Sequence, residues 1–91
     1  MRSVRLVITG RVQGVGYRIW AERTALALDV RGWVRNRRDG SVELLATGAE
    51  NAVADFITAC RQGPPAAVVD DVVVEPGKDE QSAGFTAHPT L

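Results

Sequence analysis

The sequence contains one cysteine, few aromatic residues and no long hydrophobic run. Cys60 cannot form an internal disulfide and has no second cysteine at C-x-x-C spacing, which excludes a disulfide framework and a cysteine-rich zinc site. The apolar stretch "VRLVITG" near the N-terminus is far shorter than a signal or membrane segment. We therefore expect a cytoplasmic protein that has no membrane partner and owes its stability to packing.

Length and charge distribution restrict the sequence further. The 91 residues, of which 45% are hydrophobic, suit one domain with one core over residues 1–91. The net charge is zero, but residues 1–40 hold nine arginines and three carboxylates, a balance of +6. Residues 41–91 hold two cations and eight carboxylates, a balance of −6. An anionic ligand should therefore bind to the first half of the chain.

Residue spacing in the first half predicts a strand, a helix and a hairpin. Apolar residues alternate with others up to Gly10, which predicts a strand ending there. A helix follows, with an apolar stripe that comprises Tyr17, Ala21, Ala25 and Leu28. "VRGWVRN" and "SVELLATG" predict two strands joined at "RDG". We expect a two-residue turn there, because Asp and Gly tolerate positive backbone angles.

The second half predicts another helix and one or two further strands. The apolar stripe of this helix comprises Val53, Phe56, Ile57 and Cys60, and "GPP" ends the helix. "AVVDDVVVE" predicts a fourth strand, and "GFTAH" either a short fifth strand or a tail. The order βαββαβ predicts a ferredoxin-like split βαβ fold, an α+β sandwich. We expect an antiparallel sheet of four to five strands with both helices on one face.

This topology brings two separate segments to one edge of the sheet. A right-handed crossover makes the first two strands parallel with one strand between them, so their C-terminal ends lie about 10 Å apart. "GRVQGVGYR", residues 10–18, leaves one end, and Asn36 lies at the other. Asn36 shares strand parity with Val30 and Val34. If the valines face the helices, the Asn36 amide should point toward the start of the first helix.

The glycines of "GRVQGVGYR" could let backbone N–H groups bind an anion at the positive end of a helix. No Lys-Ser or Lys-Thr follows as in a Walker loop, and Ile19 stands where a dinucleotide fingerprint has its third glycine. A glycine-rich loop alone is more often a structural turn. Arg18 favours the anion site, because an arginine in the first helical turn opposes the helix dipole unless an anion is bound. The alternative is a solvated surface arginine.

The string "GRVQGVGYR", Asn36 within "GWVRN" and the later "DGSVE" together resemble acylphosphatases over residues 4 to about 75. The resemblance implies hydrolysis of an acyl phosphate, a small-molecule carboxyl-phosphate anhydride, by a monomer without metal or cofactor. It implies that Arg18 holds the phosphoryl group and Asn36 orients the attacking water. The phosphate-binding backbone, which inorganic phosphate or sulfate would also occupy, would comprise Gln13, Gly14, Val15, Gly16, Tyr17 and Arg18.

Two other functions are compatible with the predicted fold. RNA recognition motifs share its element order, but "SVELLATG" lacks the aromatic residues with which their third strand stacks bases, so we expect no nucleic-acid partner. A non-catalytic module that binds phosphate remains the second alternative, although the chain has both Arg18 and Asn36.

Four further features have simpler interpretations. Cys60 lies on an apolar helical stripe, which favours packing over nucleophilic chemistry. His88 has no evident partner and is not expected to bind metal or to transfer protons. Trp20 and Trp33 are expected to pack rather than stack on bases. A basic cluster of Arg35, Arg37 and Arg38 near Asn36 would attract anionic substrates.

Overall fold

Two helices and five strands make up the architecture in the computed structural model, which describes residues 1–90. They are β1 (Arg2–Arg11), α1 (Tyr17–Ala27), β2 (Arg31–Asn36), β3 (Val42–Gly48), α2 (Glu50–Gln62), β4 (Val68–Pro76) and β5 (Phe85–Ala87). Within residues 1–90, neither helix has the length and apolar character needed to cross a membrane.

The strands form one sheet in the order β4-β1-β3-β2-β5. β3 pairs antiparallel with both β1 and β2, and β4 pairs antiparallel with β1. The ferredoxin-like fold is therefore confirmed. The expectation of an antiparallel sheet is wrong at the far edge, where the short fifth strand runs parallel to β2. The chain crosses from β4 past the ends of three strands before β5 begins, and β5 therefore runs opposite to β4.

Both helices pack on one face of the sheet and enclose the core. Val4, Leu6 and Ile8 of β1 are buried there, as are Val42, Leu44 and Ala46 of β3. The predicted helical stripes are confirmed. Tyr17, Ala21 and Ala25 of α1 are buried, and Leu28, just beyond the end of α1, is partly buried. The buried residues of α2 are Val53, Phe56, Ile57 and Cys60. Each large aliphatic or aromatic side chain contributes about 1.5–3 kcal/mol through burial.

The hairpin between β2 and β3 differs from the expected two-residue turn. The backbone N–H of Arg37 donates to the carbonyl of Ser41 at 2.9 Å, so three residues form the tip. Only Gly40 of this loop has a positive φ, 94°. Asp39 instead accepts hydrogen bonds from the backbone N–H and the hydroxyl of Ser41, at 2.9 and 2.6 Å. These bonds stabilise the loop without a left-handed aspartate.

The face of the sheet opposite the helices carries a buried carboxylate with two arginine partners. Glu43 on β3, whose side chain is 5% exposed, binds Arg5 at 2.5 Å and Arg35 at 2.7 Å. Burial raises the pKa of Glu43, but hydrogen bonds from Arg35 and Arg5 outweigh this and lower it. The Arg35 guanidinium also lies 4.8 Å from the ring centroid of Trp33. The ion pair with Glu43 therefore offsets the charge of Arg35, one of the three arginines of the expected basic cluster.

We predict that Glu43→Gln lowers the free energy of unfolding by about 2 kcal/mol at pH 7, because it removes two charge-assisted hydrogen bonds. The pKa of Glu43 is lower in the folded state than its ordinary 4.5, so its stabilisation is present above that value. It is lost as the pH falls through the folded pKa. Urea unfolding at pH 7 and at pH 3 should therefore show a smaller difference from wild type at pH 3.

Glu75→Gln is the matched control, since Glu75 binds Arg5 at 2.8 Å but its side chain is 50% exposed. Its effect at pH 7 should remain below about 1 kcal/mol. Equal effects of the two substitutions, or an effect of Glu43→Gln that does not change with pH, would show that burial does not strengthen the Glu43 cluster.

Candidate functional site

Strand β3 sets the distance between the two parts of the candidate site. Val42 pairs with Ile8 of β1 on one side and with Asn36 of β2 on the other. Asn36 is thus level with Ile8 and two strand spacings, about 10 Å, from it. The chain that leaves β1 beyond Ile8 can therefore fold back toward Asn36.

The loop between β1 and α1 has a left-handed backbone at two glycines. Gly14 has φ 74° and Gly16 has φ 78°, and a Cβ atom added at either would meet nothing within 4 Å. Glycine is favoured there by the backbone angle, and the space beside both residues is open. Gly16 is also the N-cap of α1, where no side chain caps the helix and the first turn has no acidic residue. The positive end of α1 is therefore available to an anion.

A cavity of about 150 Å³ lies at this end of α1. Its lining residues are Val12, Gly14, Gly16, Tyr17, Arg18, Ile19 and Asn36. The expected meeting of the glycine-rich loop with Asn36 is thus observed. Sequence reasoning did not assign Val12 and Ile19 to the site. Val12 is buried, whereas Ile19 is 59% exposed. The available signal in the sequence was an isoleucine next to Arg18 that lies off the apolar stripe of the helix.

Two of the predicted site residues have side chains directed elsewhere. The Gln13 amide donates to the carbonyls of Arg37 and Ser41, at 2.7 and 2.9 Å. Gln13 therefore ties the β1–α1 loop to the hairpin that follows Asn36. Val15 packs against the core. Both residues can contribute to an anion site only through their backbone N–H groups, and that role stays a prediction.

Tyr17 lines the cavity but anchors α1 through its side chain. It is 2% exposed, and its hydroxyl donates to the carbonyl of Cys60 on α2 at 2.7 Å. Burial raises the pKa of Tyr17, so its hydroxyl stays protonated. The ring meets Trp20 edge to face, with 5.2 Å between centroids. Tyr17 thereby fixes the first turn of α1 relative to α2.

Arg18 is half-buried and extends from α1 toward the last part of the chain. Its Nη1 donates to the backbone carbonyl of His88 at 2.9 Å. That oxygen is neutral, so the positive charge of Arg18 remains for an anionic ligand. His88 also stacks on Trp33, with 5.6 Å between ring centroids. The expectation that His88 has no partner is therefore wrong, because both contacts join residues far apart in sequence.

The thiol of Cys60 has a packing role. Cys60 is buried, as predicted, and burial raises its pKa to about 12, so the thiol stays protonated. Among residues 1–90, no three histidine, cysteine, aspartate or glutamate side chains are grouped so that they could hold a metal ion.

Comparison with known proteins identifies the family. The acylphosphatase family model matches residues 4–87. The chain belongs to the acylphosphatase family. Acylphosphatases are hydrolases that act on acid anhydrides, and the chain is therefore an enzyme of this class. The family match includes the glycine-rich loop, Arg18 and Asn36.

Full-length relatives support the same assignment. The chain is 58% identical to an acylphosphatase of Bradyrhizobium diazoefficiens, over 97% of this chain and 95% of the relative. It is 48% identical to an acylphosphatase of Rhodospirillum rubrum, with both chains fully covered. The crystal structure of the Bacillus subtilis acylphosphatase superposes with a TM-score of 0.92 at 39% identity, covering 97% of this chain and 99% of that one.

We predict that Gly16→Ala weakens the binding of inorganic phosphate more than tenfold. An alanine at this left-handed position costs about 1–2 kcal/mol of strain, and relief of that strain would turn the N–H groups away from the anion. Isothermal titration calorimetry with phosphate measures the affinity.

Gly40→Ala is the matched control, because Gly40 also has a positive φ and open space beside it but does not line the cavity. It should lower stability by a similar amount and leave phosphate affinity within about twofold of wild type. If both variants lost phosphate affinity equally, the backbone of the β1–α1 loop would have no specific part in anion binding.

Proposed function

We propose that this acylphosphatase hydrolyses the anhydride bond of acyl phosphates, with the phosphoryl group bound at the N-terminus of α1. The observation that carries the proposal is the cavity in which Gly14, Gly16 and Arg18 meet Asn36. It combines backbone donors, a positive charge and a neutral amide, which are the groups needed to bind a phosphoryl group and a water molecule together.

The phosphoryl oxygens are bound by the backbone of residues 13–18 and by Arg18. An uncapped helix end directs N–H groups toward bound oxygens, and the left-handed backbone at Gly14 and Gly16 lets the loop approach them closely. The planar guanidinium of Arg18 can donate two parallel hydrogen bonds. These donors are fixed before the substrate arrives, so they stabilise the transition-state charge with little reorganisation.

Asn36 orients the water that attacks phosphorus. Its amide can accept one hydrogen bond from the water and donate another, but it is far too weak a base to remove a proton. The new bond joins the water oxygen to phosphorus, and the bond that breaks joins phosphorus to the acyl oxygen. The electron pair of that bond leaves with the carboxylate, and the water proton passes to a phosphoryl oxygen or to solvent. The products are a carboxylate and inorganic phosphate.

The leaving group explains why no general acid is assigned. A carboxylate is the conjugate base of a fairly strong acid, so protonation of the leaving oxygen would accelerate the reaction little. The buried hydroxyl of Tyr17 and thiol of Cys60 therefore have no role in proton transfer. As part of the same proposal, the enzyme acts as a cytoplasmic monomer that needs neither metal nor cofactor.

The position of Glu43 favours this function over nucleic-acid binding. A sheet that stacks bases presents exposed aromatic residues on its central strands. On the open face of β3, the chain has Glu43 between two arginines, and Leu45 and Thr47 are buried. A phosphate-binding module without turnover would retain the same cavity, and the kinetic experiment below separates it from an enzyme.

We predict that the wild-type protein hydrolyses benzoyl phosphate in the presence of EDTA but not the monoester p-nitrophenyl phosphate. Arg18→Ala should lower kcat/KM at least a hundredfold and abolish measurable phosphate binding, because it removes the charge opposite the phosphoryl group. Asn36→Ala should lower kcat about a hundredfold with little change in phosphate affinity, since it acts on the water.

Arg23→Ala is the control for charge, because Arg23 is an exposed arginine on α1 that does not line the cavity. It should retain wild-type kinetics. Equal losses of phosphate binding in Arg18→Ala and Asn36→Ala would refute the division of roles. A folded wild-type protein that binds phosphate but does not hydrolyse benzoyl phosphate would be a binding module.

A further inference from the structure

The side chain of Arg18 is hydrogen-bonded to the chain just after β5, the edge strand on the other side of the sheet from β4. Arg18 lies in the first turn of α1, and its Nη1 donates to the His88 carbonyl at 2.9 Å. A guanidinium has five N–H donors, so this contact leaves others for a bound anion. The His88 carbonyl therefore restricts the side chain without neutralising its charge.

A backbone hydrogen bond, a ring contact and the proline that follows restrict the conformation of His88. Its backbone N–H donates to the carbonyl of Val34 on β2 at 2.7 Å, which extends the pairing of β5 by one residue. Its ring stacks on that of Trp33 with an interplanar angle of 12°. Pro89 follows, and a residue before proline is restricted to extended backbone. Together these constraints determine where the His88 carbonyl points.

The indole of Trp33, on which the His88 ring stacks, is held by contacts of its own. It lies within β2, and its indole Nε1 donates to Glu80 at 3.1 Å. The Arg35 guanidinium, which binds Glu43, contacts the same indole. The position of Trp33 is thus set by the sheet and by polar contacts at its edge. A ring stacked on it has few alternative positions.

The other end of β5 is anchored in the core. Phe85 is 5% exposed and meets Phe56 of α2 edge to face, with 5.6 Å between centroids. Removal of the His88 ring would therefore leave β5 in place. Only the Val34 hydrogen bond and the restriction by Pro89 would then hold the His88 carbonyl.

We propose that His88, stacked on Trp33, is a positioning residue that orients Arg18 for the phosphoryl group through its backbone carbonyl. Since this role rests on the proposed function, it deepens that function and does not replace it. A free arginine side chain has considerable rotamer entropy, and ordering it before the ligand binds reduces what binding must restrict. The ring of His88 thus acts on phosphate affinity without touching phosphate.

The test is a double-mutant cycle read by isothermal titration calorimetry with inorganic phosphate. His88→Ala should weaken phosphate binding about threefold to tenfold, as expected if part of the entropy of one long side chain must be lost on binding. His88→Phe retains a ring that can stack and should bind phosphate within about twofold of wild type. In an Arg18→Lys background, which keeps a charge but lacks the planar guanidinium that the carbonyl orients, His88→Ala should have a smaller effect.

Two further variants complete the design. Thr86→Ala removes an exposed side chain from the same strand and should leave phosphate affinity unchanged. Trp33→Leu removes the indole on which the His88 ring stacks and should weaken phosphate binding as His88→Ala does. Thermal unfolding of each variant shows whether it is folded, and His88→Ala should alter the midpoint little because Phe85 anchors β5.

The outcomes separate this inference from the proposed function. Unchanged affinity in His88→Ala, no rescue by His88→Phe, or an undiminished effect of His88→Ala in the Arg18→Lys background would each overturn the positioning role. If wild type did not bind phosphate, or if Arg18→Ala bound it as tightly as wild type, the proposed role of Arg18 would itself be wrong, and the positioning role with it.

Discussion

Strand β3 is buried along its whole length, and the geometry of the candidate site depends on its position between β1 and β2. Because Val42 pairs with both Ile8 and Asn36, these residues of β1 and β2 lie level with each other on either side of β3. At Gly32 the backbone of β2 lies so near β3 that an added Cβ would be 1.8 Å from the Leu45 carbonyl oxygen. The position of Asn36 on β2 therefore depends on that of β3.

Ion pairs join the basic first half of the chain to the acidic second half. The paired arginines of the first half bind carboxylates of the second half in Arg5–Glu75, Arg31–Asp79 and Arg35–Glu43. Arg18 differs from them, because the oxygen that it contacts is a neutral carbonyl. A protein with zero net charge can in this way keep a positive group beside the positive end of a helix, where an anionic ligand interacts favourably with both.

Sequence patterns predicted most of the fold and the main residues of the candidate site. The alternation of β1, the stripes of α1 and α2 and the parity of Asn36 with Val34 are local properties of strand and helix geometry, and each agrees with the structure. The conformation of the β2–β3 turn was predicted incorrectly, because the Asp-Gly pattern is compatible with several loops. In this protein the loop has a three-residue tip, and Ser41 donates two hydrogen bonds to Asp39.

The side-chain partners around the site could not be read from these patterns. Gln13 bonds to the carbonyl of a residue 24 positions away, and Arg18 contacts one 70 positions away. Periodicity determines which face of a strand or helix is apolar, but it carries no information about contacts across such separations. Local spacing was therefore enough to predict the helices and strands, and their order was enough to predict that Arg18 lies near Asn36. The parallel pairing of β5, the ion pair of Arg35 with Glu43 and the contact of His88 with Arg18 were decided by packing of the whole chain.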